Sequence, residues 1–70
     1  MQQLEVKVAD IIAGDIIDVS DELPRGPRWE TVDGVMVVGD THRLVFLKGV
    51  GFPIALIADD DRTVTVLRHQ

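Results

Sequence analysis

The chain has 70 residues, no cysteine, a formal net charge of −5, and 46% hydrophobic residues dominated by Val, Ile and Leu. That length makes one small domain spanning residues 1–70, which buries only about 60% of its unfolded surface and has neither a disulfide nor a thiolate zinc site to brace it. The acidic balance argues against a dedicated nucleic-acid binder and against docking on an anionic membrane.

At the N-terminus, Leu4, Val6 and Val8 alternate with Glu5, Lys7 and Ala9, a period of two that predicts a half-buried strand over 4–9. The stretch "DIIAGD" follows. A helix across residues 8–18 would carry Gly14 in its interior, at about 1 kcal/mol, among many β-branched residues. Gly14 and Asp15 instead suit a turn, with room for one short helical turn over 10–13. "IIDVS" resumes as a strand over 16–20. "SDELPRGPR" has two prolines, a glycine and no apolar period, and reads as a long loop. "WETVDGVMVV" is a strand over 29–38, with Gly34 marking a bulge or bend. "GDTH" is a turn and "RLVFLK" the returning strand. "GVGFP" is a Gly-rich turn, "IALIA" a strand opened by Pro53, "DDDR" a turn and "TVTVLR" the last strand.

Five to six short antiparallel strands, turns every 8 to 12 residues and no long helix predict an all-β domain, a small SH3-like barrel with its long loop at 20–28. Its expected core is Leu4, Val6, Val8, Ile16, Val35, Val37, Leu44, Phe46, Leu56, Val64 and Val66. The runs "GVMVVG", "RLVFLK" and "PIALIA" are apolar in both phases, which leaves Met36, Val38, Val45, Leu47 and Ile57 on a second apolar face. The expected cover for that face is another copy of the chain, giving a homodimer or higher oligomer. The alternative is strong bending that covers both faces within one chain.

The arrangement "VKVADIIAGDII", "WETVDGVMVVGDTHRLVFL" and "DDDRTVTVLR" resembles a group of small proteins of actinobacteria and their phages. They share a hydrophobic–x–hydrophobic–Ala–Asp–hydrophobic–x–x–Gly–Asp start and a Val-x-Val-x-Arg-like end. The resemblance implies a small β-barrel and no reaction. Gly14-Asp15 also resembles the opening of the self-splicing Hint domains. Those need a leading Cys or Ser and a Thr-x-x-His, whereas Met1 leads here and Gly39 stands three residues before His42.

The stretch most suggestive of a site is "PRGPRW". Arg25 and Arg28 offer forked donors to carboxylate or phosphate, and Trp29, the only tryptophan, offers a stacking surface. The three are candidate ligand- or partner-binding residues. Alternatively the arginines answer Asp21 and Glu22, and Trp29 is a core or lid residue. "DDD" at 59–61 is either a metal site or a solvated hairpin tip; EF-hand spacing is absent and no metal is expected. His42 and His69 have no His or Cys at ligand spacing. Ser20 has no nearby histidine, and "KGVGFP" lacks the Lys-Ser/Thr of a phosphate loop. No enzyme and no cofactor are therefore expected.

The leading reading is a non-enzymatic protein-interaction or accessory module, phage-encoded or regulatory. The alternatives are a small-ligand or nucleotide binder built on Arg25, Arg28 and Trp29, and a weak nucleic-acid binder using Arg43, Lys48 and Arg68. "MQQLEVKV" lacks a basic region followed by an apolar run, and no stretch approaches about 18 continuous apolar residues, so a cytoplasmic location without a membrane anchor is expected.

Overall fold

A computed structural model of the chain describes residues 1–59 and 61–68. It is all-β, a single six-stranded sheet: β1 (Gln2–Lys7), β2 (Ile16–Asp18), β3 (Trp29–Val38), β4 (His42–Leu47), β5 (Ile54–Ile57) and β6 (Thr63–Arg68). The order across the sheet is β1-β6-β2-β3-β4-β5, and every neighbouring pair is antiparallel. A 3-10 turn, Val8–Asp10, follows β1. Among the described residues, no helix is long and apolar enough to cross a membrane.

The two N-terminal strands do not pair with each other. β6 lies between them and bonds to both, so 8–15 is a crossover and not a hairpin. Its last turn runs from Ile12 to Asp15, closed by the Asp15 N–H donating to the Ile12 carbonyl at 3.2 Å. Gly14 holds φ +96°, the left-handed value a type II turn requires at its third position.

β3 joins the two halves of the sheet. Its first three residues pair with β2, and Val32–Val38 pairs with β4. Between Val32 and Gly34 the register shifts, so Asp33 is the extra residue of a bulge beside the glycine that predicted one. The strand can therefore bend and serve both halves. β1 and β5 remain as edges, so the sheet curls without closing. Val8 and Val66 at one side and Ile54 and Leu56 at the other nevertheless share one apolar cluster. The barrel-like curl brings them together.

The facing of two strands differs from the sequence expectation. Val45 and Leu47 are 0% and 4% exposed in the core, while Phe46 points outward at 37%. On β2 the buried residue is Ile17, with Ile16 only half-buried. "RLVFLK" and "DIID" are apolar in both phases, so alternation could not choose between them. The choice is made by pairing: Ile54 lies opposite Val45 on the inward row of β5, and Ile17 lies opposite Val66. Leu44 shares the outward row with Phe46 and is half-buried. Val37 is on the inward row, but near the β3–β4 turn the sheet runs past the core and leaves it 65% exposed. Val45 and Leu47 are thus core residues of a single chain and not part of an outer face. Val8, Leu56 and Val66 are buried as expected, and Leu4, Val6, Val35 and Val64 pack against the core partly buried.

Candidate functional site

The loop that separates β2 from β3 is tightly built. The Val19 N–H donates to the Arg28 carbonyl at 2.8 Å and closes its base, and the Leu23 N–H returns to the Val19 carbonyl at 2.7 Å. Asp18 organises the entry. Its Oδ1 accepts from the Ser20 N–H at 3.0 Å and the Ser20 hydroxyl at 2.7 Å, an Asx turn. Its Oδ2 accepts from Arg28 Nε at 3.0 Å. The two Ser20 donors, with Arg28 behind them, hold the Asp18 carboxyl below its ordinary value against a small opposing effect of burial.

The candidate residues Arg25, Arg28 and Trp29 therefore do not form one open patch. The Arg28 guanidinium is tied to Asp18 and sits 5.1 Å from the centroid of the half-buried Trp29 ring. Arg25 projects from the exposed tip. The beside-the-loop surface is an acidic groove in which Glu5, Asp18, Asp21 and Glu22 outnumber Arg62, itself bonded to Glu22 at 3.1 Å. Thr63 and Thr65 hold the Glu5 carboxylate on its far wall. An anion meets repulsion there, so the geometry favours the bracing role of Arg28 over phosphate capture. Replacing Arg28 with Ala is expected to remove about 1 kcal/mol of stability or less, because a guanidinium 63% exposed is well screened. Arg25→Ala is expected to remove none. Thermal melts check both, and the Trp29 emission should shift only in the Arg28 variant.

The other candidates separate in the same way. Asp59 accepts from the Asp61 and Arg62 N–H groups at 3.2 and 2.8 Å, a turn role, while Asp60 lies outside the described residues. Among the described residues, no group of three or more His, Cys, Asp or Glu could hold a metal ion. His42 is exposed beside Thr41, whose hydroxyl is 2.7 Å from Nδ1; His69 lies outside the described residues. Arg43, Lys48 and Arg68 do not converge. Arg43 and Lys48 stand at opposite ends of β4, and Arg68 belongs to Asp15.

That last contact was not expected. Asp15 is 1% exposed, and Arg68 donates to it twice, Nε to Oδ1 and an Nη to Oδ2, each at 2.7 Å. The Ile12 N–H adds a bond at 3.1 Å to Oδ2. Burial alone would raise the Asp15 carboxyl, but the guanidinium and the amide bring it below its ordinary value. The signal was parity: Asp15 shares the inward phase of Ile17 and Val19, and Arg68 that of Val66. The Ile16–Leu67 pairing then sets them opposite each other.

The outer face of β3, β4 and β5 packs against nothing among the described residues. Met36 lies opposite Leu44, Leu44 opposite Ala55, and Val38 and Ile57 flank His42. Phe46 continues the row opposite Gly34, which offers no side chain to cover the ring. Met36, Val38 and Ile57 are exposed, as the sequence expectation had them, and these eight positions carry no Asp, Glu, Lys or Arg. No family model matches the chain, and neither a curated protein nor a solved structure matches it.

Proposed function

We propose that the chain is a non-enzymatic protein-interaction module, an accessory factor whose working surface is the outer face of β3–β4–β5. The observation that carries this reading is the absence of formal charge over eight neighbouring positions in a chain that is 27% charged. The largest contiguous apolar patch on a monomer is often its functional surface. The side chains that would have to perform chemistry are engaged in turns. The Ser20 hydroxyl donates to Asp18, and Asp18 holds Arg28. The small-ligand reading is weakened by the same contacts, since Arg28 already has a carboxylate partner and an aromatic neighbour.

The test places a photo-crosslinking side chain at Met36, or at Gln3 on the outward row of β1, and irradiates the protein in its host cell. Protein adducts identified by mass spectrometry are expected at Met36 and not at Gln3. Equal adducts at both positions, or none at Met36, would overturn the reading.

A further inference from the structure

We infer that the occupant of the β3–β4–β5 face is a second copy of this chain, docked face to face about a twofold axis with its strands antiparallel to the first. The inference rests on the interaction reading above and names the partner.

Charge points to it. Each copy carries a formal −5, so two copies repel over most of their surfaces. The eight outer positions of these three strands carry none of those charges, and the exposed Asp33 of the bulge stands beside them at the Lys48 end. The two ends of this face are not equivalent. The β3–β4 turn carries Asp40, and the β4–β5 turn, at the other end of β4, carries Lys48. Both are exposed, and among the described residues neither takes part in an ion pair. An axis perpendicular to the strands lays each Asp40 turn over the partner's Lys48 turn. An axis along the strands would stack acid on acid and base on base.

Size sets the strength. Three strands about 4.8 Å apart and six residues long at about 3.3 Å per residue give an apolar centre on the order of 300 Å². That centre is smaller than the roughly 800 Å² that each partner brings to a standard interface, so the contact is small even with the two turns at its rim. Two sheets can pack this way about 10 Å apart, with Met36, Leu44 and Phe46 interdigitating at the centre. A small, rim-charged contact of this kind corresponds to a weak, reversible dimer.

Sedimentation of the full chain tests it across a concentration series from the micromolar to the millimolar range. The mass is expected to rise from 7.7 kDa toward twice that. Met36→Glu, at a side chain already 52% exposed, should hold the protein at the monomer mass and melt like the dilute wild-type monomer. Should that variant fail to fold, Ile57→Lys takes its place. Lys48→Glu should weaken the dimer about tenfold, and adding Asp40→Lys should restore it. A monomer at every concentration overturns the inference. So does a dimer indifferent to Met36→Glu, or a Lys48→Glu defect that Asp40→Lys does not repair. A monomer whose Met36 crosslinks lead to a different protein overturns self-association alone and leaves the interaction reading standing.

Discussion

Replacing Asp15 with Ala is expected to lower the unfolding free energy by about 3 kcal/mol, a large share of what a domain of this size possesses. The carboxylate accepts three hydrogen bonds, two from Arg68 and one from the Ile12 N–H, at a position with 1% of its surface exposed. Its loss strips the tip of β6 from the turn before β2 and leaves a guanidinium and an amide to find water. Arg68→Met exposes the opposite failure. The carboxylate stays buried without its cation, and its titration should move above the ordinary aspartate value. The same contact gives a pH dependence of known sign. Because the folded carboxyl titrates below its ordinary 3.8, its contribution is complete above about pH 4 and drains away as the pH falls through the lowered value. Urea titrations of wild type and Asp15→Asn from neutral to acid pH check it: the wild-type advantage should shrink below about pH 4. An advantage that persists unchanged into acid would show that the pair does not stabilise the fold.

Val45→Asp is expected to abolish folding. Val45 has no exposed surface and lies between Val35 on β3 and Ile54 on β5, and Arg43, two residues away on the same row, gives its guanidinium to the His42 carbonyl. Burying an unpaired carboxylate there costs more than a marginal domain can absorb, about 4–5 kcal/mol or above. The neighbouring Phe46 should behave in the opposite way despite its size. Its ring is 37% exposed on the outer face, so Phe46→Ala should cost about 1 kcal/mol, well under the 3–5 kcal/mol of a buried phenylalanine. Circular dichroism and urea unfolding of the two variants decide the facing of β4. A folded Val45→Asp protein beside an unfolded Phe46→Ala protein would reverse it.

These two residues also mark where the sequence stops being legible. The strands themselves were readable, because each apolar run ends at a Gly, Pro or Asp cluster. The bulge was readable from Gly34 alone. Facing was readable where a strand mixes sizes or polarities: Ala55 between Ile54 and Leu56 leaves one phase able to fill the core. In "LVFL" both phases are apolar, and only the partner strand chooses. Long-range pairing was the other blind spot. Nothing local in "TVTVLR" says that it lies between the first two strands, and the Asp15–Arg68 contact depends on that placement. The same holds for the candidate site. "PRGPRW" stood out by composition, but its meaning turned on Asp18, which approaches Arg28 only once β2 and β3 pair. The outer apolar face was visible as an excess of apolar residues, and its membership needed the register.

The position of β6 has a kinetic meaning as well. β1 finds its hydrogen-bonding partner only in residues 63–68, and β2 needs the same strand on its free side. A nascent chain that has reached Ile57 holds the β2–β5 meander and a separate, unpaired N-terminal segment. Joining them requires contacts between positions some sixty residues apart, such as Leu4 with Val66. Loop closure over that distance precedes its reward, which places the rate-limiting step at the arrival of β6 and the folding time in the millisecond-to-second range of nonlocal β topologies. Until then the inner edges of β1 and β2 are unpaired templates open to other chains, so the same strand that completes the sheet also ends its period of exposure to misassembly.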